Sequence, residues 1–163
     1  MKIKVLASVI VLSMAAAARV YAFGLGAQAN FSAGEIFAPG VALLISPSDM
    51  THLAINWYLD LDEVNIVGLT LDVCPLTLPI KTFRAGSFNF TFGVGLFANV
   101  LFANDPGFSG GLRLPVGFNL LLGRDVLEIF THVAPSFGVN FLPSLGFSRP
   151  FFPIALGARI WFR

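Results

Sequence analysis

Apolar and polar side chains alternate along most of the chain, most plainly over residues 86 to 102. One side carries Phe88, Phe90, Phe92, Val94, Leu96, Ala98, Val100 and Phe102; the other carries Ser87, Asn89, Thr91, Gly93, Gly95, Phe97, Asn99 and Leu101. On a helix, at about 100° per residue, the polar positions would scatter round the circumference, and the glycines would weaken it further. A period of two predicts a strand with two different faces.

Cutting the rest of the chain at clusters of Gly, Pro, Asp, Asn and Ser predicts eight such strands. The first sets Phe23, Leu25, Ala27, Ala29 and Phe31 against Gly24, Gly26, Gln28, Asn30 and Ser32. The second opposes Val41, Leu43 and Ile45 to Ala42, Leu44 and Ser46. In the third, Leu53, Ile55, Trp57 and Leu59 face away from His52, Ala54, Asn56, Tyr58 and Asp60. The fourth sets Val67, Leu69, Leu71 and Val73 against Gly68, Thr70, Asp72 and Cys74, and the fifth is the 86 to 102 segment. The sixth opposes Phe108, Leu112, Leu114, Val116, Phe118 and Leu120 to Ser109, Gly111, Arg113, Gly117 and Asn119. The seventh opposes Leu127, Ile129, Val133, Phe137 and Val139 to Glu128, His132, Ser136, Gly138 and Asn140. The eighth turns Phe152, Ile154, Leu156, Ala158, Ile160 and Phe162 away from Gly157, Arg159 and Trp161.

A soluble sandwich would show the same alternation with its apolar row inside. Composition decides between the two. Apolar residues make up 56% of the chain and charged ones only 12%, with a mean hydropathy of +0.80. The polar rows hold Gly, Ala, Ser and Asn with few charges, which is unlike a wetted strand face guarded by Lys and Glu. The apolar rows take most of the 18 Phe, more aromatic volume than one sandwich core can receive. The apolar side therefore faces lipid. In a bilayer every backbone polar group must be paired, and with helices excluded by the period only a closed barrel remains. The predicted fold is all-β: an eight-stranded antiparallel up-and-down transmembrane β-barrel spanning residues 23–163.

Residues 1–22 read as a secretory signal peptide: "MKIK" gives the positive start, "VLASVIVLSMAAAA" the apolar stretch, and "RVYA" the cleavage site after Ala22. Its removal takes Lys2, Lys4 and Arg19, leaving 10 − 3 = 7 basic against 9 acidic residues. That balance points to no nucleic-acid partner. Cys74 is the single cysteine, so no internal disulfide forms. No metal-ligand spacing appears, and "FGLG" and "GVGLF" lack the strand-to-helix setting of a nucleotide fingerprint. No cofactor is predicted.

With an even strand count both termini lie on the periplasmic side. The turns at "SPSDM" (46 to 50), "CPLTLPIKTFRA" (74 to 85) and "GRD" (123 to 125) join them there. "AGEIFAP", "LDE", "NDPG" and "LPSLGFSRPF" form the outer connections.

On these strands the chain resembles the small eight-stranded outer-membrane barrels of the OmpX, OmpA-barrel and OmpW kind. Over its C-terminal third, with "RLPVGFNLLL", "LEIFTHVAPSFGV" and "IALGARIWFR", it is similar to a group of small spirochaete barrels. The resemblance implies an outer-membrane location, membrane lipid as the surroundings, and recognition of the C-terminal strand by the outer-membrane assembly machinery. A monomer without enzymatic activity is expected, serving envelope structure or, as the resemblance to OmpW-like barrels implies, the passage of small apolar molecules. The alternative is an adhesin or ligand-binding protein acting through its outer loops.

Glu128, His132 and Ser136 share one face of the seventh strand and invite a hydrolase reading. Positions four apart on a strand are about 13 Å apart, beyond the reach of a nucleophile and its base. Lipid A deacylases of the eight-stranded class place a His and a Ser two apart and facing lipid, so that resemblance fails. The predicted site is instead a hydrogen-bonded lumen network of His52, Asn56, Tyr58, Asp60, Asp72, Asn89, Asn99, Arg113, Asn119, Glu128, His132 and Arg159, since eight strands enclose only enough room for side chains. A tight turn centred on Asp62 places residues whose numbers sum to 124 opposite each other. His52 then faces Asp72, and an ion pair between them is expected.

Overall fold

The computed structural model describes residues 22–33, 38–59, 65–102 and 106–162. Asp60 and nearly all of the segment read as a signal peptide lie outside these residues. The strands are β1 (Phe23–Ala33), β2 (Ala38–Ser48), β3 (Thr51–Leu59), β4 (Asn65–Phe83), β5 (Gly86–Phe102), β6 (Gly107–Arg113), β7 (Val116–Leu122), β8 (Leu127–Val133), β9 (Ser136–Leu142), β10 (Gly146–Phe147) and β11 (Phe152–Phe162). Neighbours run β5-β4-β3-β2-β1-β11-β8-β7, and β7 pairs back onto β5, so the wall closes. Every one of these pairings is antiparallel.

Eleven strands make eight staves. β6 and β7 are one stave interrupted at Pro115, β8 and β9 are one interrupted at Pro135, and β10 and β11 follow one another along the β9–β8 stave as a third. Proline has no N–H to give the ladder, but its carbonyl still accepts: Gly93 N–H bonds to Pro115 O at 2.9 Å and Leu114 N–H to Pro135 O at 3.0 Å. Inside and outside positions keep their alternation across both breaks.

Paired residues can be followed once round the wall, from Gly86 through Leu122, Leu127, Ile160, Leu25, Ile45, Leu53 and Leu71. The path returns to β5 at Leu96. The shear is thus ten residues (96 − 86 = 10). With strands about 4.8 Å apart and a rise of about 3.3 Å per residue, eight strands at this shear tilt by roughly 40° and enclose a backbone radius of about 8 Å. That radius leaves no free bore once inward side chains are added.

The predicted inversion is present in the structure. Leu43, Leu96, Leu112 and Leu156 point outward and are more than half exposed, whereas Gln28, Asn30, Asn56, Asp72, Arg113, Glu128 and Arg159 point inward and are buried. Aromatic rings gather at both ends of the outer wall. Phe23 lies against Phe162 and Phe88 stacks on Phe118 at 5.5 Å near the termini, while Phe108 packs on Phe141 at 5.4 Å at the opposite end. Apolar wall between aromatic belts is the pattern of a membrane-spanning barrel.

Two segments differ from the sequence reading. Residues 74 to 83 are not a turn; β4 runs through them to Phe83, and the reversal falls at Arg84 and Ala85. Register shifts between Val73 and Leu76 and between Pro79 and Lys81 absorb the two prolines as irregularities in the β4–β5 ladder. β3 has ended by then, its last contacts being Thr51 opposite Val73 and Met50 O bonded to Cys74 N–H. The prolines therefore sit on an edge that has no neighbouring strand to bond. The connection at 142 to 151 is likewise more ordered than a loop: β10 pairs with β9, and Ser136 bridges to Phe151.

Candidate functional site

The inward rows of all eight staves meet in the lumen, so period-two alternation is what assembles the site. The first group is amide-rich. Gln28 Nε2 donates to Asn30 Oδ1 at 2.7 Å, and Asn30 Nδ2 donates to Asn56 Oδ1 at 2.8 Å. Asn56 Nδ2 then reaches Thr70 Oγ1 at 3.5 Å and the Ala54 carbonyl at 3.4 Å. Asn56 is only 1% exposed. A polar group this deep is tolerable only because its partners replace water.

The second group centres on Glu128. Its Oε1 accepts from Asn119 Nδ2 at 2.8 Å; its Oε2 accepts from Trp161 Nε1 at 2.8 Å and from Arg159 Nη1 at 3.3 Å. Asn89 extends the chain, donating to Asn119 Oδ1 at 2.8 Å and Ser87 Oγ at 3.1 Å. The Arg159 guanidinium lies between the Phe130 and Trp161 rings, 5.0 and 5.2 Å from their centroids, a cation–π setting for a desolvated charge.

The two arginines are arranged alike. Arg159 holds Glu128 on one side and His52 on the other, with Nη1 2.8 Å from His52 Nδ1. Arg113 holds Asp72 and His132: its Nε lies 3.2 Å from Asp72 Oδ1, and its Nη2 lies 3.3 Å from His132 Nε2. A guanidinium only donates, so each imidazole nitrogen facing it accepts and carries no proton. Ser46 Oγ, 3.0 Å away, completes the surroundings of His52 Nδ1. At the centre of the plug, among the described residues, each of the two arginines thus faces one carboxylate.

The sequence-based register is correct: His52 pairs with Asp72 across β3 and β4. The ion pair expected from it is not formed. Asp72 turns to Arg113 and His52 to Arg159, because each arginine brings a full charge where a neutral imidazole brings none. Gly95 makes the space for Asp72, since a Cβ there would collide with Asp72 Oδ1 and come within 3.1 Å of Arg113 Cγ. Gly95→Val is expected to displace the carboxylate and cost about 1–3 kcal/mol by overpacking, read as a lower denaturant midpoint of the refolded barrel.

Among the other predicted members, Asn89, Asn119, Glu128 and Arg159 join one network. Tyr58 and Asn99 stand apart, toward the loop end of β3 and β5. There they line an open cleft of about 310 Å³ with Ile66, Ser109, Asn140 and Phe151. Below it Phe97 and Phe151 pack edge to face at 5.1 Å. The space left within the plug is about 60 Å³, room for a few waters. Gln28, Asn30, Ser46, Thr70 and Trp161 were not among the predicted members, although the same alternation puts them on the inner face.

Glu128, His132 and Ser136 go their separate ways. Ser136 Oγ donates to Ala134 O at 2.8 Å, His132 faces Arg113, and Glu128 serves Asn119, Arg159 and Trp161. Ser136 and His132 make no hydrogen bond with each other among the described residues.

No protein-family model matches the chain, and no curated protein matches it. Among solved structures, the N-terminal β-barrel domain of OprF from Pseudomonas aeruginosa is 13% identical at TM-score 0.37, the match covering 85% of this chain and 97% of that one. Ail, the attachment invasion locus protein of Yersinia pestis, is 11% identical at TM-score 0.43, covering 86% and 97%. A major outer membrane protein of Thermus thermophilus is 14% identical at TM-score 0.44, covering 86% and 99%. The similarity to a spirochaete group has no counterpart in these comparisons. The assignment of a closed transmembrane barrel rests on this chain's own strand register and on which of its faces is apolar.

Proposed function

We propose that the protein is an integral outer-membrane barrel that contributes to envelope structure, acts as a monomer, has no enzymatic activity and is closed to ions at neutral pH. The observation that carries this reading is the lumen itself. Buried arginines, carboxylates and amides fill the cross-section, and their bonds cross from stave to stave. Such cross-links brace the wall and block the bore at the same time. This favours a structural role over the passage of small apolar molecules. A wall that closes on itself needs no partner strand, and β11, with its alternating apolar row ending at Phe162, is the strand the assembly machinery would engage. Planar bilayers containing the refolded protein near pH 7.5 are expected to show no unitary current steps, while the same sample shows heat-modifiable migration on gels. A steady ohmic channel under those conditions would refute the closed-lumen reading.

A further inference from the structure

We propose that the plug is acid-operated: protonation of His52 moves Asp72 from Arg113 to His52 and opens a path for water and small ions. This rests on the closed-lumen reading above.

His52 and Asp72 sit directly opposite each other on β3 and β4, a separation of about 5 Å between Cβ atoms, yet each is held by an arginine instead. His52 can accept from Arg159 only while its Nδ1 is unprotonated. A proton there turns the acceptor into a donor facing a guanidinium, and the contact becomes repulsive. Asp72 is then the carboxylate across the ladder. Its hold on Arg113 is a 3.2 Å approach in which neither Asp72 Oδ1 nor Arg113 Nε has a properly directed hydrogen bond.

The other groups that surround His52 come from its own strand, where the Thr51 backbone hydrogen-bonds the ring, and from β2, β4, β8 and β11. β2 offers the Ser46 hydroxyl, β11 offers Arg159 and the edge of Trp161, and β8 offers Glu128, already committed to three donors. Cys74 on β4 and Asp49 at the β2–β3 turn line the same space. His132 is in the same position relative to Arg113 and stacks on Phe130 at 5.7 Å. With both imidazoles protonated, the plug gains two positive charges. Once Asp72 leaves it, Arg113 has no carboxylate, and moving toward the solvent of the loop-end cleft relieves the repulsion.

Linkage sets the size of the effect. If the open state binds one proton more than the closed state, open probability rises about tenfold per pH unit of acidification, and about a hundredfold if both imidazoles take part. The test is planar-bilayer recording of the refolded full barrel near pH 7.5 and near pH 5, with gel migration at each pH to show that it stays folded. The expected result is silence at the higher pH, reversible current at the lower, and loss of the acid response in His52→Gln, which keeps a neutral acceptor. Silence at both pH values overturns the inference and leaves the closed-lumen reading standing. Current at neutral pH overturns that reading and the inference with it. Acid opening that persists in His52→Gln assigns the effect to the carboxylates and also overturns the inference. Should His52→Gln not fold, the ring nitrogen-15 shifts of His52 in the unmodified protein decide: a ring that stays neutral through the opening is incompatible with the mechanism.

Discussion

Replacing Glu128 by alanine is expected to lower the stability of the barrel by about 3–5 kcal/mol, the usual consequence of removing one partner from a buried ion pair. The side chain is buried and accepts from Asn119, Trp161 and Arg159, so its loss strands three donors, one of them a full charge with no water at hand. Glu128→Gln, which keeps an acceptor oxygen, is expected to lose less. The double change Glu128→Leu with Arg159→Met is expected to recover much of the loss, because a buried pair replaced as a whole by apolar groups is often neutral. Urea titration of protein refolded into lipid vesicles measures all three. A Glu128→Ala barrel as stable as the parent would mean that Arg159 is not desolvated, and the lumen would have to be wet.

The second large effect is on the other side of the wall. Leu43→Arg is expected to cost about 2–4 kcal/mol, the penalty for a cation on the lipid face near the bilayer midplane. Leu43 pairs with Ala27, which lies midway along β1 between Phe23 and Phe31, so it is about equidistant from the two aromatic belts. It is 66% exposed. If water bathed that face, the same substitution would change stability by no more than about 0.5 kcal/mol. The two outcomes are far enough apart for one titration in vesicles to separate them.

Alternation made the wall legible in the sequence. Because side chains on a strand point to opposite faces in turn, fixing one apolar position such as Leu96 fixes the rest of β5, and a tight turn carries the register to its neighbour. His52 opposite Asp72 followed in this way. Partner choice inside the lumen did not follow, because it depends on staves far apart in sequence. Arg113 reaches Asp72 from β6, and Arg159 reaches His52 from β11, contacts fixed by a shear of ten residues that no local pattern encodes. Trp161 was set on the polar side by its parity, but its indole N–H became interpretable only once Glu128 was placed beside it. The β4 extension was missed because Pro75 and Pro79 read as turn residues. On an edge beyond the end of β3 they are compatible with a strand, since no neighbour asks for their missing N–H groups.

The two tryptophans offer the most direct check on the inversion, since Trp57 points outward at 52% exposure and Trp161 inward at 5%. Single-tryptophan proteins, Trp161→Phe and Trp57→Phe, would be refolded into vesicles whose acyl chains carry bromine. Strong quenching of Trp57 with Trp161 left bright is the outcome required by an apolar wall facing lipid and a polar plug within. A Trp57 that ignores the bromines and is quenched by iodide from the aqueous phase would show that the wall faces water, and the barrel would not be a membrane protein.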